Sequence, residues 1–106
     1  MLKEISVQLL KTKLNAEEDI LLLDVRTDYE VLISRIKESI HIPMNDIPNR
    51  LLELDKSKEI IVQCKSGKRS AKVCEYLLTN GYTNVKNLKG GIIAWSREID
   101  PSIIVF

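Results

Sequence analysis

The stretch Ile20-Leu21-Leu22-Leu23-Asp24-Val25 is a continuous apolar run interrupted only by a carboxylate near its end. A strand with one wet face alternates apolar and polar residues, and this one does not. Its length and lack of alternation suit a strand buried on both faces, as in a parallel sheet. Glu59 to Gln63 is a second such run, β-branched at its centre, and it leads directly into Cys64. Residues 4–6, 39–42 and 84–88 read as shorter strands, with Pro43 stopping the middle one.

Helical patterns fill the intervals. Ser6 reads as an N-cap ahead of Val7, Leu10 and Leu14, and Thr27 or Asp28 as the cap ahead of Tyr29, Leu32 and Ile33. Asn45 or Asp46 begins a third helical stretch, with Pro48 in its first turn and Ile47, Leu51 and Leu54 as its buried stripe. From Ser70, the residues Val73, Cys74, Leu77 and Leu78 give a helical face that Asn80-Gly81 ends. Gly90-Gly91 turns into a last helix with Ile93, Ala94 and Trp95. Strands alternating with helices at this spacing predict an α/β fold, a mainly parallel five-stranded sheet flanked by helices on both faces.

A chain of 106 residues is one domain, 1–106, able to bury a core without staples. Its formal net charge of +1 gives no global reason to expect nucleic acid or a membrane surface as partner. No apolar run approaches the roughly 20 residues of a membrane span. The N-terminus lacks a basic segment followed by an apolar one, so no secretory signal is expected. The pattern fits a reduced, cytoplasmic chain in which Cys64 is exposed and Cys74 faces the core. One histidine and no paired-cysteine spacing imply no metal site.

Basic residues concentrate in one place, at Lys65, Lys68, Arg69 and Lys72. Cys64 ends a strand there, and the loop Lys65-Ser66-Gly67-Lys68-Arg69-Ser70 opens a helix. Backbone N–H groups converge on an anion at such a place. Free cysteine titrates near pH ~8.5, and helix N-termini and nearby cations lower that value. Gly67 lets the loop curl, Ser66 and Ser70 add hydroxyl donors, and the lysines and Arg69 add charge. Cys64 is thus a candidate thiolate nucleophile. Cysteine phosphatases use Cys-x5-Arg, which would put arginine at position 70. Here Arg69 falls one place short, which disfavours phosphoryl chemistry and suits a sulfur atom carried on the cysteine.

Cys64-Lys65-Ser66-Gly67-Lys68-Arg69-Ser70 resembles the active loop of rhodanese-like sulfurtransferases, Cys-x-x-Gly-x-Arg-Ser. Leu23-Asp24-Val25-Arg26, with Tyr29-Glu30 after it, is similar to the family's Asp-Val-Arg segment. Ile40-His41-Ile42-Pro43 is similar to its Asn-Ile-Pro motif, and Gly90-Gly91-Ile92-Ile93-Ala94-Trp95 to its glycine-pair and tryptophan signature. Ser34-Arg35-Ile36 departs from the usual Gly-His-Ile. The resemblance implies a rhodanese-like domain in which Cys64 takes sulfur from thiosulfate or a cysteine desulfurase persulfide. The Cys64 persulfide would then pass it to cyanide in vitro, or to a protein or small thiol in the cell, with no cofactor. Asp24 and Arg26 would orient the loop or tie strand to helix, and His41 and Trp95 would be structural. Residues 90–102 resemble the end of the rhodanese domain of molybdopterin-synthase-type adenylyltransferases, which act on a ubiquitin-like sulfur-carrier protein. The apolar tail Ile103-Ile104-Val105-Phe106 would pack back on the domain or meet a partner. Two other expectations stand beside this: a non-catalytic docking module of the same fold, and a small phosphatase or arsenate reductase.

Overall fold

A computed structural model describes residues 2–105. Five strands, β1 (Glu4–Ile5), β2 (Ile20–Asp24), β3 (Ile40–His41), β4 (Glu59–Gln63) and β5 (Val85–Leu88), form one sheet in the order β1-β5-β4-β2-β3. Every neighbouring pair is parallel. The two continuous apolar runs are the central strands, paired in register from Ile20 opposite Glu59 to Asp24 opposite Gln63. That position explains their lack of alternation, because both faces are covered.

The helices are α1 (Val7–Asn15), α2 (Asp28–Ile33), α3 (Lys68–Thr79) and α4 (Gly91–Glu98). One face of the sheet, carrying Leu21, Leu23, Ile60, Val62 and Val85, packs on Val73, Cys74 and Leu77 of α3. The other face, carrying Leu22, Ile61 and Leu88, packs on Val7 and Leu10 of α1 and on Ile92, Ala94 and Trp95 of α4. Ser6 caps α1, its hydroxyl accepting from Leu9 N–H at 3.1 Å. Thr27, rather than Asp28, caps α2. No helix among the described residues is long and apolar enough to cross a membrane.

Two expectations are corrected. The stretch from Asn45 is not an α-helix but two 3₁₀ segments, Met44–Asp46 and Pro48–Glu53, and neither Asn45 nor Asp46 caps it. Pro48 supplies no N–H to an α-helical ladder here, and Arg50 leaves helical geometry, so the segment breaks into short tight turns. Ile47 and Leu54 still reach the core, with Leu51 half-buried beside them. Helix α3 starts at Lys68, before Ser70, and Leu78 lies on its exposed side. The tail folds back: Ile103 and Val105 pack on the α1–α4 side, and Ser96 Oγ donates to the Ile103 carbonyl at 2.7 Å. Met1 and Phe106 lie outside the described residues.

One contact between α4 and the strand end positions everything that follows. The first free N–H groups of α4 are spent on the chain just after β4: Ile92 N–H donates to the Cys64 carbonyl at 2.9 Å and Ile93 N–H to the Lys65 carbonyl at 3.1 Å. The approach demands glycine. A Cβ on Gly91 would lie 2.4 Å from the Lys65 oxygen and 2.6 Å from the Cys64 oxygen, and Gly91 has φ +60°. Gly91→Ala is expected to cost on the order of 2 kcal/mol or more through backbone displacement. A calorimetric melt of the variant against wild type checks this.

Candidate active site

The loop between β4 and α3 closes over Cys64. Gly67 sits in the left-handed region at φ +108° and turns the chain into α3, which has no side-chain cap of its own. The Cys64 sulfur takes the place of a capping oxygen. Gly67 N–H donates to Sγ at 3.1 Å and Ser70 N–H at 3.4 Å, and Ser70 Oγ lies 3.3 Å away. A helix N-terminus favours negative charge at this place, so the arrangement suits a thiolate.

Cys64 is not exposed, contrary to the sequence expectation: only 1% of its surface meets solvent. The reason is the curl itself, since the N–H groups that serve the sulfur must surround it. Burial works to push the thiol pKa up. Hydrogen bonds from the Ser70 hydroxyl and from the N–H groups of Ser70, Gly67 and Ser66 outweigh it, and the thiol is held below its ordinary value. Cys74, on the core side of α3, has only burial and the like charge of Cys64 and Glu75 acting on it in the main, and is pushed up to about 12. It is a packing residue.

Loop cations play a different part from the one their clustering implies. Arg69 turns to α2, where Nη1 and Nη2 donate to the Glu30 carboxylate at 2.6 and 2.9 Å. Glu30 also completes a capping box with Thr27: Glu30 N–H donates to Thr27 Oγ1 at 3.3 Å, and Thr27 N–H donates to Glu30 Oε1 at 3.1 Å. Lys68 and Ser66 are exposed and Lys65 is half-buried. Electrostatically, Arg69 and Cys64 still attract one another.

Asp24 and Arg26 form a buried pair at the end of β2. Arg26 Nη2 donates to Asp24 Oδ2 at 2.8 Å and to the Ser34 carbonyl at 2.7 Å. They tie the strand to the segment after α2. Met44 N–H donates to the Val25 carbonyl at 3.0 Å. His41 Nε2 is 2.7 Å from the Arg26 carbonyl and so donates to it, in a structural role. Trp95 is core.

Sequence reasoning gave two residues no role at the site. Glu30 was legible through the spacing Thr27-x-x-Glu30, a capping-box signature. Asn87 was not: it is a buried polar side chain on β5, and its Nδ2 donates to the Gly67 carbonyl at 3.0 Å while its Oδ1 accepts from Ser70 Oγ at 2.5 Å. Its only sequence signal is a polar residue inside a strand.

A sequence model described as the Rhodanese-like domain matches residues 6–98. A Bacillus subtilis (strain 168) protein named "Putative sulfurtransferase YtwF" is 46% identical over 100 residues, covering 94% of this chain and 96% of that protein. A protein of Allochromatium vinosum named "Sulfurtransferase" is 42% identical over 103 residues, covering 97% and 96%. The crystal structure of a rhodanese-like domain protein from Staphylococcus aureus superposes with a TM-score of 0.86 at 36% identity, covering 99% of each chain.

Two outcomes follow from the geometry. Thiolate ultraviolet absorbance, taken as the difference between wild type and Cys64→Ser, is expected to titrate below the pH ~8.5 of free cysteine. A midpoint at or above that value contradicts the donor cradle. The Arg69 hydrogen bonds hold the Glu30 carboxyl at about 2, against its ordinary 4.5. A depressed carboxylate contributes stability that is complete above about pH 4.5 and is lost as pH falls towards 2. Glu30→Gln is expected to lower stability at pH 7 by about 1 kcal/mol and to flatten that acid limb, read by melts across the range.

Proposed function

The chain belongs to the rhodanese-like domain family, and on that footing we propose that it is a sulfurtransferase carrying sulfane sulfur as a persulfide on Cys64. The observation that carries this reading is the Cys64 sulfur seated as the cap of α3, with two N–H groups donating to it and the Ser70 hydroxyl 3.3 Å away. In the first step the Cys64 thiolate attacks the outer sulfur of a donor such as thiosulfate. A new S–S bond forms, the donor's S–S bond breaks, and sulfite leaves with the electron pair. A cysteine desulfurase persulfide would serve as donor in the same way, releasing the desulfurase thiolate.

In the second step an acceptor attacks the outer sulfur, and Cys64 leaves as the thiolate that the loop donors stabilise. With cyanide the product is thiocyanate; in a reduced, cytoplasmic setting the acceptor would be a small thiol or a protein, including a ubiquitin-like sulfur carrier. Both steps are displacements at sulfur, and the persulfide is a reversible state of cysteine. The closed loop favours this over phosphoryl transfer. Position 70, where a phosphatase loop would hold a guanidinium, carries Ser70, and Arg69 is committed to Glu30.

Incubation with thiosulfate followed by intact-mass measurement is expected to show the gain of one sulfur atom per chain, lost again on adding cyanide with release of thiocyanate. Cys64→Ser is expected to stay folded and gain none. Wild-type protein that takes up no sulfur from thiosulfate or from a desulfurase overturns the reading and leaves a docking module of the same fold.

A further inference from the structure

Ser70 carries one hydroxyl proton and has two acceptors within reach. One is Asn87 Oδ1 at 2.5 Å and the other is Cys64 Sγ at 3.3 Å. Asn87 cannot turn its amide over without loss, because its Nδ2 is engaged by the Gly67 carbonyl at 3.0 Å. Its oxygen therefore faces Ser70 as a pure acceptor. Both Ser70 and Asn87 are buried, so water does not compete for these bonds.

We propose that Asn87 is a positioning residue that acts on Cys64 through Ser70, by drawing the hydroxyl proton of Ser70 away from the sulfur. With the thiol protonated, the chain runs from Cys64 S–H to Ser70 Oγ and from Ser70 O–H to Asn87 Oδ1. When the thiolate forms, the hydroxyl must leave Asn87 to serve the sulfur, and Asn87 opposes that move. The anion then leans on the backbone N–H groups of Gly67 and Ser70. A thiolate with fewer donors is a stronger nucleophile, since nucleophilicity falls as thiol pKa falls. Asn87 thus sets the balance between how readily Cys64 ionises and how strongly it attacks. Once a persulfide is formed the inner sulfur no longer carries the charge, and the hydrogen bond from Ser70 to Asn87 meets no competing demand.

The proposal deepens the sulfurtransfer reading, but its test reads the thiol alone and stands whether or not the protein transfers sulfur. Among the described residues, Arg69 and Cys74 on α3 interact electrostatically with the sulfur, Glu30 of α2 and Asp24 of β2 act on Arg69, and Glu75 of α3 acts on Cys74. They are the same in every variant below. Asn87→Leu removes the acceptor and also the anchor on Gly67, so a single variant mixes two effects. A double-mutant cycle with Ser70→Ala separates them, because the Gly67 effect is present in both backgrounds and subtracts.

The readout is the midpoint of thiolate ultraviolet absorbance against pH. Asn87→Leu is expected to lower the midpoint by roughly 0.5–1 pH unit more in the Ser70 background than in the Ser70→Ala background. The same shift in both backgrounds, or a higher relative midpoint with Ser70 present, overturns the proposal. Should Asn87→Leu not fold, Asn87→Ala, which only deletes atoms, is measured in the same cycle with the same expectation.

Discussion

The carbonyls of Cys64 and Lys65 point into the start of α4, and the chemistry of the loop depends on that commitment. A peptide unit whose oxygen is held on one side offers no free choice to its neighbours. The chain after β4 must curl the other way, and the N–H groups of Gly67 and Ser70 end up around the sulfur. Two helix N-termini thus meet at one cysteine with different duties. That of α4 fixes the backbone carbonyls, and that of α3 receives the side chain. The glycine pair, remote in sequence, serves the loop because only a residue without Cβ allows α4 so close.

A thiolate at Cys64 would be stabilised chiefly by dipoles held in place. Clustered lysines suggest a cloud of positive charge, yet Arg69 spends its guanidinium on Glu30, and Lys68 faces solvent. Fixed N–H groups in a buried site need no reorganisation when charge develops, whereas exposed lysines are screened by salt and water. Arg69 still contributes, but as a strut between α3 and α2. Helix α2 has no buried residue of its own. Its place in the fold owes much to Glu30, which joins the Thr27 cap to that strut.

Much of this was legible in the sequence. The two apolar runs announced central parallel strands, and Cys64 with Gly67 at a strand-to-helix junction announced the convergence of N–H groups found there. The glycine pair marked a turn. Its partner, the backbone of Cys64 and Lys65, lay beyond any local pattern. The 3₁₀ segments escaped because the four-and-three spacing of Ile47, Leu51 and Leu54 is that of an α-helix, and the break at Arg50 leaves no mark in that pattern. Cys64 was expected to be exposed, since reactivity was equated with access, but a cradle of donors requires enclosure. Asn87 could not be read from its neighbours because its partners, Gly67 and Ser70, reach it only through the pairing of β5 with β4. Gln63 is a similar case: it is fully buried, and its amide has no hydrogen-bond partner among the described residues, a cost that nothing in its sequence context foretells.

The sheet is bounded by β1 and β3, each only two residues long. A strand edge recruits other chains by offering a row of unpaired N–H and carbonyl groups, and rows this short offer little to copy. The long, apolar, aggregation-prone strands β2 and β4 are therefore shut inside, and the pieces at the margins are too brief to template a neighbour. Enclosing the most adhesive segments leaves the rims of the sheet with little free backbone for another strand to pair with.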